Sequence, residues 1–188
     1  MTAHDLDREY SPSALLPDPA AQFAEYARRS AVTRTRLVAH RNLRYGASGR
    51  MTLDLFPAAQ PASPLLVYVH GGFWQEMSKD DFVFPAEGAV AAGAAFAALG
   101  YVLAPDHGMD EIVTSVRAGL WWLVDHARAL GVAPARIHLC GHSAGAHLVA
   151  MALLAGWPPD GRLPADVFAG ATLLSGIYDL EPVRHTYV

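Results

Sequence analysis

Apolar residues along the first third of the chain recur first at helical spacing and then in alternation with polar ones. Asp18 can cap a helix whose first position is Pro19, and Phe23, Tyr26 and Ala27 then share one face. Two short strands are expected at 42–45 and 51–56, separated by Gly46-Ala47-Ser48-Gly49. In the second, Met51, Leu53 and Leu55 alternate with Thr52 and Asp54, the pattern of a half-buried strand in an antiparallel pair. Beyond a proline-bounded linker at 57–64 the pattern changes to continuous apolar runs at 65–69, 101–104, 137–140 and 171–174. Helices are expected between them at 85–99, alanine-rich over 89–98, at 110–130 and at 144–155. In the middle one Ile112, Val113, Val116, Leu120, Leu123, Val124 and Ala127 keep the helical period, with Asp110 as N-cap. Continuous strands alternating with helices predict a parallel sheet covered on both faces. The expected fold class is therefore α/β, a mostly parallel sheet with N-terminal antiparallel strands. A polar, proline-punctuated arm is expected over 1–17, ahead of a single α/β domain over 18–188.

Composition narrows the partners more than it changes the fold. A chain of 188 residues that is 52% hydrophobic can bury a sizeable core. A net charge of −4, with no run of Lys or Arg, leaves no electrostatic footprint for nucleic acid or an anionic membrane. The single cysteine, Cys140, falls on an expected buried strand and is read as a small core hydrophobe. The N-terminus lacks a basic segment followed by an apolar one, and no apolar stretch is long enough to span a bilayer, so a cytoplasmic location is expected. A small-molecule substrate is the expected partner, and the sequence leaves a homo-oligomer open.

Candidate chemistry gathers where strands end. The run 137–140 feeds Gly141-His142-Ser143-Ala144-Gly145, and a helical run follows at once. That is the strand–turn–helix context in which a sharp turn lifts a serine Oγ above the sheet, and it makes Ser143 the candidate nucleophile. In open α/β sheets ligands bind outside the carboxyl ends of the strands. After the first continuous run comes His70-Gly71-Gly72-Phe73-Trp74, whose paired glycines allow close approach of the backbone to a substrate. The Gly72 and Phe73 amides, with Ala144 N–H at the start of the following helix, form a candidate oxyanion hole. One such donor is worth roughly 3–4 kcal/mol to a transition state. The same glycines would also serve a turn of no catalytic import.

Together, His70-Gly71-Gly72-Phe73-Trp74 and Gly141-His142-Ser143-Ala144-Gly145-Ala146-His147-Leu148 resemble the α/β-hydrolase superfamily, and within it the kynurenine formamidase and HGGxW carboxylesterase branch. Residues 51–57 and 174–182 are similar to that branch as well, and the resemblance covers about 20–188. It implies an α/β-hydrolase fold, a serine nucleophile at Ser143 and an oxyanion hole at Gly72, Phe73 and Ala144. It also implies hydrolysis of N-formyl aryl amides such as N-formylkynurenine, with no metal and no cofactor. Phe73 and Trp74 would then line an aromatic substrate pocket, although as bare residues they fit the core equally well. The alternatives are a carboxylesterase acting on short acyl esters and a non-catalytic ligand-binding relative.

The triad of this fold runs serine, acid, histidine, and in the family the last two follow two further strands. Only nine residues follow Asp179, so the last two strands, the acid and the histidine are expected to be absent. The expectation is a truncated form with little or no activity, in preference to a degenerate relative. Of the histidines present, His142 adjoins the nucleophile and is expected to point away from it. His147 is expected to face packing, and His70 to hold the glycine loop. His107 and His185 lie near the correct sheet edge, where Asp179 with His185 could imitate an acid–base pair. Asp179 reads better as a helix cap. Metal binding through His142 and His147 is weaker still, for want of an accompanying cluster.

Overall fold

The computed structural model describes residues 9–10, 16–154 and 167–186. The expected arm over 1–17 falls outside these except at 9–10 and 16–17, and so does the last position of the helix expected over 144–155. Six strands form one sheet: β1 (His40–Arg44), β2 (Thr52–Phe56), β3 (Ser63–Val69), β4 (Ala95–Leu99), β5 (Val132–His142) and β6 (Gly170–Leu174), in the order β1-β2-β4-β3-β5-β6. β2 pairs antiparallel with both β1 and β4, and β4, β3, β5 and β6 run parallel. The α/β architecture, with its antiparallel entry, is the expected one. Among the described residues it is flanked by α1 (Pro19–Arg36), α2 (Ala86–Ala91), α3 (Met109–His126) and α4 (Ala144–Leu154).

Successive side chains of a strand point to opposite faces, and this divides the core in two. Leu65, Val67, Val69, Ile137 and Leu139 pack with Ile112, Leu120 and Leu123 of α3 and Leu148 of α4. On the other face Tyr68, Phe96 and Cys140 pack with Phe56 and Phe82, and Tyr26 of α1 closes that layer. α1 starts as expected, with Asp18 accepting a hydrogen bond from Ala21 N–H at 2.9 Å. It docks through polar groups too: the Ser30 hydroxyl donates to Asp81 C=O and accepts from Val83 N–H.

Four local expectations are corrected. The alanine-rich stretch 85–99 is not one helix, because α2 ends at Ala91 and the chain turns through Gly93, φ +82°, before 95–99 continues as β4. Ala95 to Leu99 are wholly buried between β2 and β3, and that central slot, which small side chains fit, overrides alanine's helical preference. Residues 101–104 are consequently the exit from β4 rather than a strand. β2 is buried at all five positions instead of alternating, because Thr52 and Asp54 are covered as well. α3 is capped at Gly108, whose N–H donates to Glu111 at 2.9 Å, rather than at Asp110.

Candidate active site

β5 hands directly to α4 through Ser143, whose φ is +55°. A left-handed non-glycine residue costs roughly 1–2 kcal/mol and persists where surrounding contacts hold it. Ser143 is held by its own N–H, which donates to Leu174 C=O of β6 at 2.8 Å, while its C=O accepts from Ala146 N–H at 2.9 Å and His147 N–H at 3.2 Å. The glycines on either side exist for clearance. A β-carbon at Gly145 would lie 2.1 Å from Val69 C=O oxygen, and one at Gly141 would lie 2.4 Å from that of Gly145. Strand β3 and helix α4 therefore approach to backbone contact beneath the serine.

The loop leaving β3 runs over this turn. A β-carbon placed on Gly71 would lie 3.1 Å from Ser143 Cβ, so the loop and the serine are neighbours. Gly72, Phe73 and Trp74 follow with φ values of +116°, +48° and +60°, three left-handed residues in succession. The Gly72 carbonyl accepts from Gln75 N–H at 2.9 Å and Glu76 N–H at 2.8 Å, and a side chain at Gly72 would strike Glu76. Among the described residues the N–H groups of Gly72, Phe73 and Ala144 have no hydrogen-bond partner. Two of these donors lie on the glycine loop and the third at the head of α4.

Behind the loop, His70 is 1% exposed and stacks on Tyr101 with ring centroids 4.3 Å apart. Its Nδ1–H donates to Gly71 C=O at 2.7 Å, and the Tyr101 hydroxyl donates to His70 C=O at 2.7 Å. Burial pushes the His70 imidazole down to about 4, so it is neutral at physiological pH. Trp74 is 5% exposed with its indole turned into the core, whereas Phe73 is half-buried. The Trp74 indole N–H donates to His147 Nδ1 at 3.3 Å. Sequence reasoning assigned these two residues separately, one to a pocket wall and one to packing, and missed the bond between them. It also gave Tyr101 no role beyond a strand.

His142, His107 and His185, the other histidines weighed from the sequence, make no bond to the Ser143 hydroxyl. His142 Nδ1 lies 3.4 Å from where a Gly71 β-carbon would sit, and burial lowers its affinity for a proton. His107 pairs with Glu111 at 3.7 Å and His185 with Glu181 at 3.3 Å. Asp179 accepts from Glu181 N–H at 3.1 Å in a local turn ahead of a short 3-10 helix, Val183–His185. Among the described residues the Ser143 hydroxyl has no hydrogen-bond partner, and no group of three or more His, Cys, Asp or Glu could hold a metal ion. No described helix is long and apolar enough to cross a membrane. Cys140 is buried, and burial raises its thiol pKa.

The BD-FAE family model matches residues 53–158, a stretch that holds the glycine loop, the serine turn and α4. The chain belongs to the BD-FAE family. This BD-FAE chain is 37% identical over its whole length to kynurenine formamidase of Danio rerio, and 31% identical over 96% of its length to that of Drosophila melanogaster. It spans about 65% of the former's length and 64% of the latter's. Carboxylesterase NlhH of Mycobacterium tuberculosis is 38% identical over 109 residues, 55% of this chain and 34% of that one. The crystal structure of a candidate thioesterase from a Silicibacter species superposes with a TM-score of 0.81 at 32% identity, over 97% of this chain and 67% of that one. Esterase B of Lactobacillus rhamnosis superposes with a TM-score of 0.60 at 25% identity, over 72% of this chain and 46% of that one. The BD-FAE chain has the α/β-hydrolase fold.

Proposed function

We propose that this chain carries the nucleophile and oxyanion hole of a serine hydrolase that cleaves N-formyl aryl amides, N-formylkynurenine giving kynurenine and formate. The observation that carries this reading is Ser143, held left-handed at the head of α4 beside three backbone N–H groups without partners. Kynurenine formamidases of similar sequence supply the substrate class. In the proposed reaction Ser143 Oγ attacks the formyl carbon and gives up its proton to a base. Gly72, Phe73 and Ala144 N–H groups hold the oxyanion, for roughly 3–4 kcal/mol per donor. The C–N bond then breaks, the amine leaves with the proton, and water attacks the formyl ester, releasing formate and restoring the serine. Phe73, the more exposed of the two loop aromatics, would face the aryl ring, with Trp74 supporting it from the core. The chemistry uses water and side chains alone, in a cytoplasmic setting.

A serine without a base is a weak nucleophile at neutral pH. Because no described residue bonds the Ser143 hydroxyl, the described residues by themselves are expected to have little activity. A second reading, a carboxylesterase for short acyl esters, draws on the identity with carboxylesterase NlhH. A third, a ligand-binding relative without catalysis, draws on the unpaired serine. Turnover of N-formylkynurenine and of p-nitrophenyl acetate, each measured against Ser143→Ala, separates the first two: an ester preference sinks the formamidase reading. Stoichiometric labelling of Ser143 by a fluorophosphonate excludes the third, and binding of N-formylkynurenine without labelling or turnover, even in a chain extended to the length of the kynurenine formamidases, supports it.

A further inference from the structure

His147 joins the two halves of the site. Its backbone N–H donates to Ser143 C=O at 3.2 Å, within the turn that holds the serine. Its ring accepts from the indole N–H of Trp74 at 3.3 Å, and the two rings meet edge to face with centroids 5.3 Å apart at 87°. Both side chains are buried, His147 at 3% exposure and Trp74 at 5%. Among the described residues this is the one hydrogen bond between the glycine loop and α4. The other bonds of the loop's left-handed turn run elsewhere, within the loop to Gly72 C=O and from Ala104 N–H to Trp74 C=O at 2.9 Å.

We infer that His147 is a positioning residue that, through Trp74, fixes the Gly72 and Phe73 amides in register with Ser143. An indole N–H can only donate, so Nδ1 must be the unprotonated nitrogen and the hydrogen must sit on Nε2. Burial lowers the His147 pKa, which keeps the ring in the neutral form that this bond requires. The left-handed conformations of Phe73 and Trp74 are unfavourable in isolation and need an external anchor. Ala104 anchors the loop's backbone on the β4 side, and His147 anchors its side chain on the serine side. The inference rests on the hydrolase reading only for its catalytic consequence, not for the contact itself.

The test compares His147→Asn, whose Oδ1 can take the place of Nδ1, with His147→Leu, which has no acceptor. In the 188-residue chain, nuclear magnetic resonance follows the Trp74 indole N–H and the Gly72 and Phe73 amides, and fluorophosphonate follows Ser143. Leucine is expected to speed indole exchange about five- to thirty-fold, the factor one lost hydrogen bond gives, and to move both loop amides. It is also expected to slow Ser143 labelling by a similar factor, while asparagine restores all three readouts. Loop amides that stay in place in His147→Leu, or an asparagine variant as perturbed as leucine, overturns the inference. Should His147→Leu fail to fold, Trp74→Phe removes the donor instead, and unmoved Gly72 and Phe73 amides there are equally fatal. Amides that move while Ser143 stays unlabelled in every variant, the unsubstituted chain included, leave the anchoring role standing and bear only on how the serine is activated.

Discussion

Strand β2 contains an aspartate and a threonine and is buried at all five positions, whereas strand β6, Gly-Ala-Thr-Leu-Leu, has no charge and is exposed at all five. The contrast follows from what lies beside each strand. β2 sits between β1 and β4, and its aspartate has been given partners: Asp54 accepts from Lys79 Nζ at 2.7 Å and from Asn42 N–H at 2.8 Å, with Arg34 at 3.6 Å. Those partners come from β1, from α1 and from the turn that follows the glycine loop. β6 has β5 on one side and no other described strand, and Leu173 and Leu174 are 37% and 47% exposed. Burial is therefore decided by the neighbours of a strand, and a charged residue goes inside when its counter-charges go with it.

The contrast is broken most directly at Asp54. Asp54→Ala leaves Lys79, with 5% of its side chain exposed, with the Asn42 amide oxygen at 2.9 Å and, as its one remaining counter-charge among the described residues, the half-exposed Asp80, and a loss of about 3–5 kcal/mol is expected in urea unfolding. A loss below about 1 kcal/mol would mean that the cluster behaves as a surface one. Next in size is Leu55→Ala, which empties a fully buried site and is expected to lower stability by about 2–5 kcal/mol.

The buried flank also predicts a dependence on pH. His70 binds a proton at about 4 when folded, against 6.5 ordinarily, so between those values the unfolded chain holds a proton that the folded chain does not. Stability is accordingly complete above the upper value and falls as pH drops through the window, by up to roughly 3 kcal/mol from this residue. Urea midpoints at pH 7 and pH 4.5 should converge when His70 is replaced by asparagine, and an unchanged gap refutes the assignment. The smallest effect is expected on the open flank, where Leu173→Ala should change stability by less than about 0.5 kcal/mol. A larger change would place β6 among the strands that the core depends on.

How far the sequence disclosed this arrangement depended on how local each determinant was. The serine turn and its glycines lie within five consecutive residues, and the clearance that demands glycine is set by the chain's own crossing of β3 and α4. The continuous runs at 65–69 and 137–140 marked the central strands, because buried parallel strands are apolar on both faces. The stretch at 85–99 misled because alanine favours helices in isolation, while the slot between β2 and β3 exists only in the assembled sheet. Trp74 and His147 are 73 positions apart, and Asp54 and Lys79 are 25 apart, so neither pair leaves a spacing signal. Each partner could be noticed and still be assigned singly.

The bond from Ser143 N–H to Leu174 C=O gives the sheet an unexpected mechanical wiring. A residue held in a left-handed conformation is fastened to the strand with the least shelter. A load or a nick applied along 170–174 would thus travel one hydrogen bond to reach the serine's main chain, with no intervening layer to absorb it. A spin label or tether on that strand would serve as a strain gauge for the turn, reporting from the surface on a residue set deeper in the molecule.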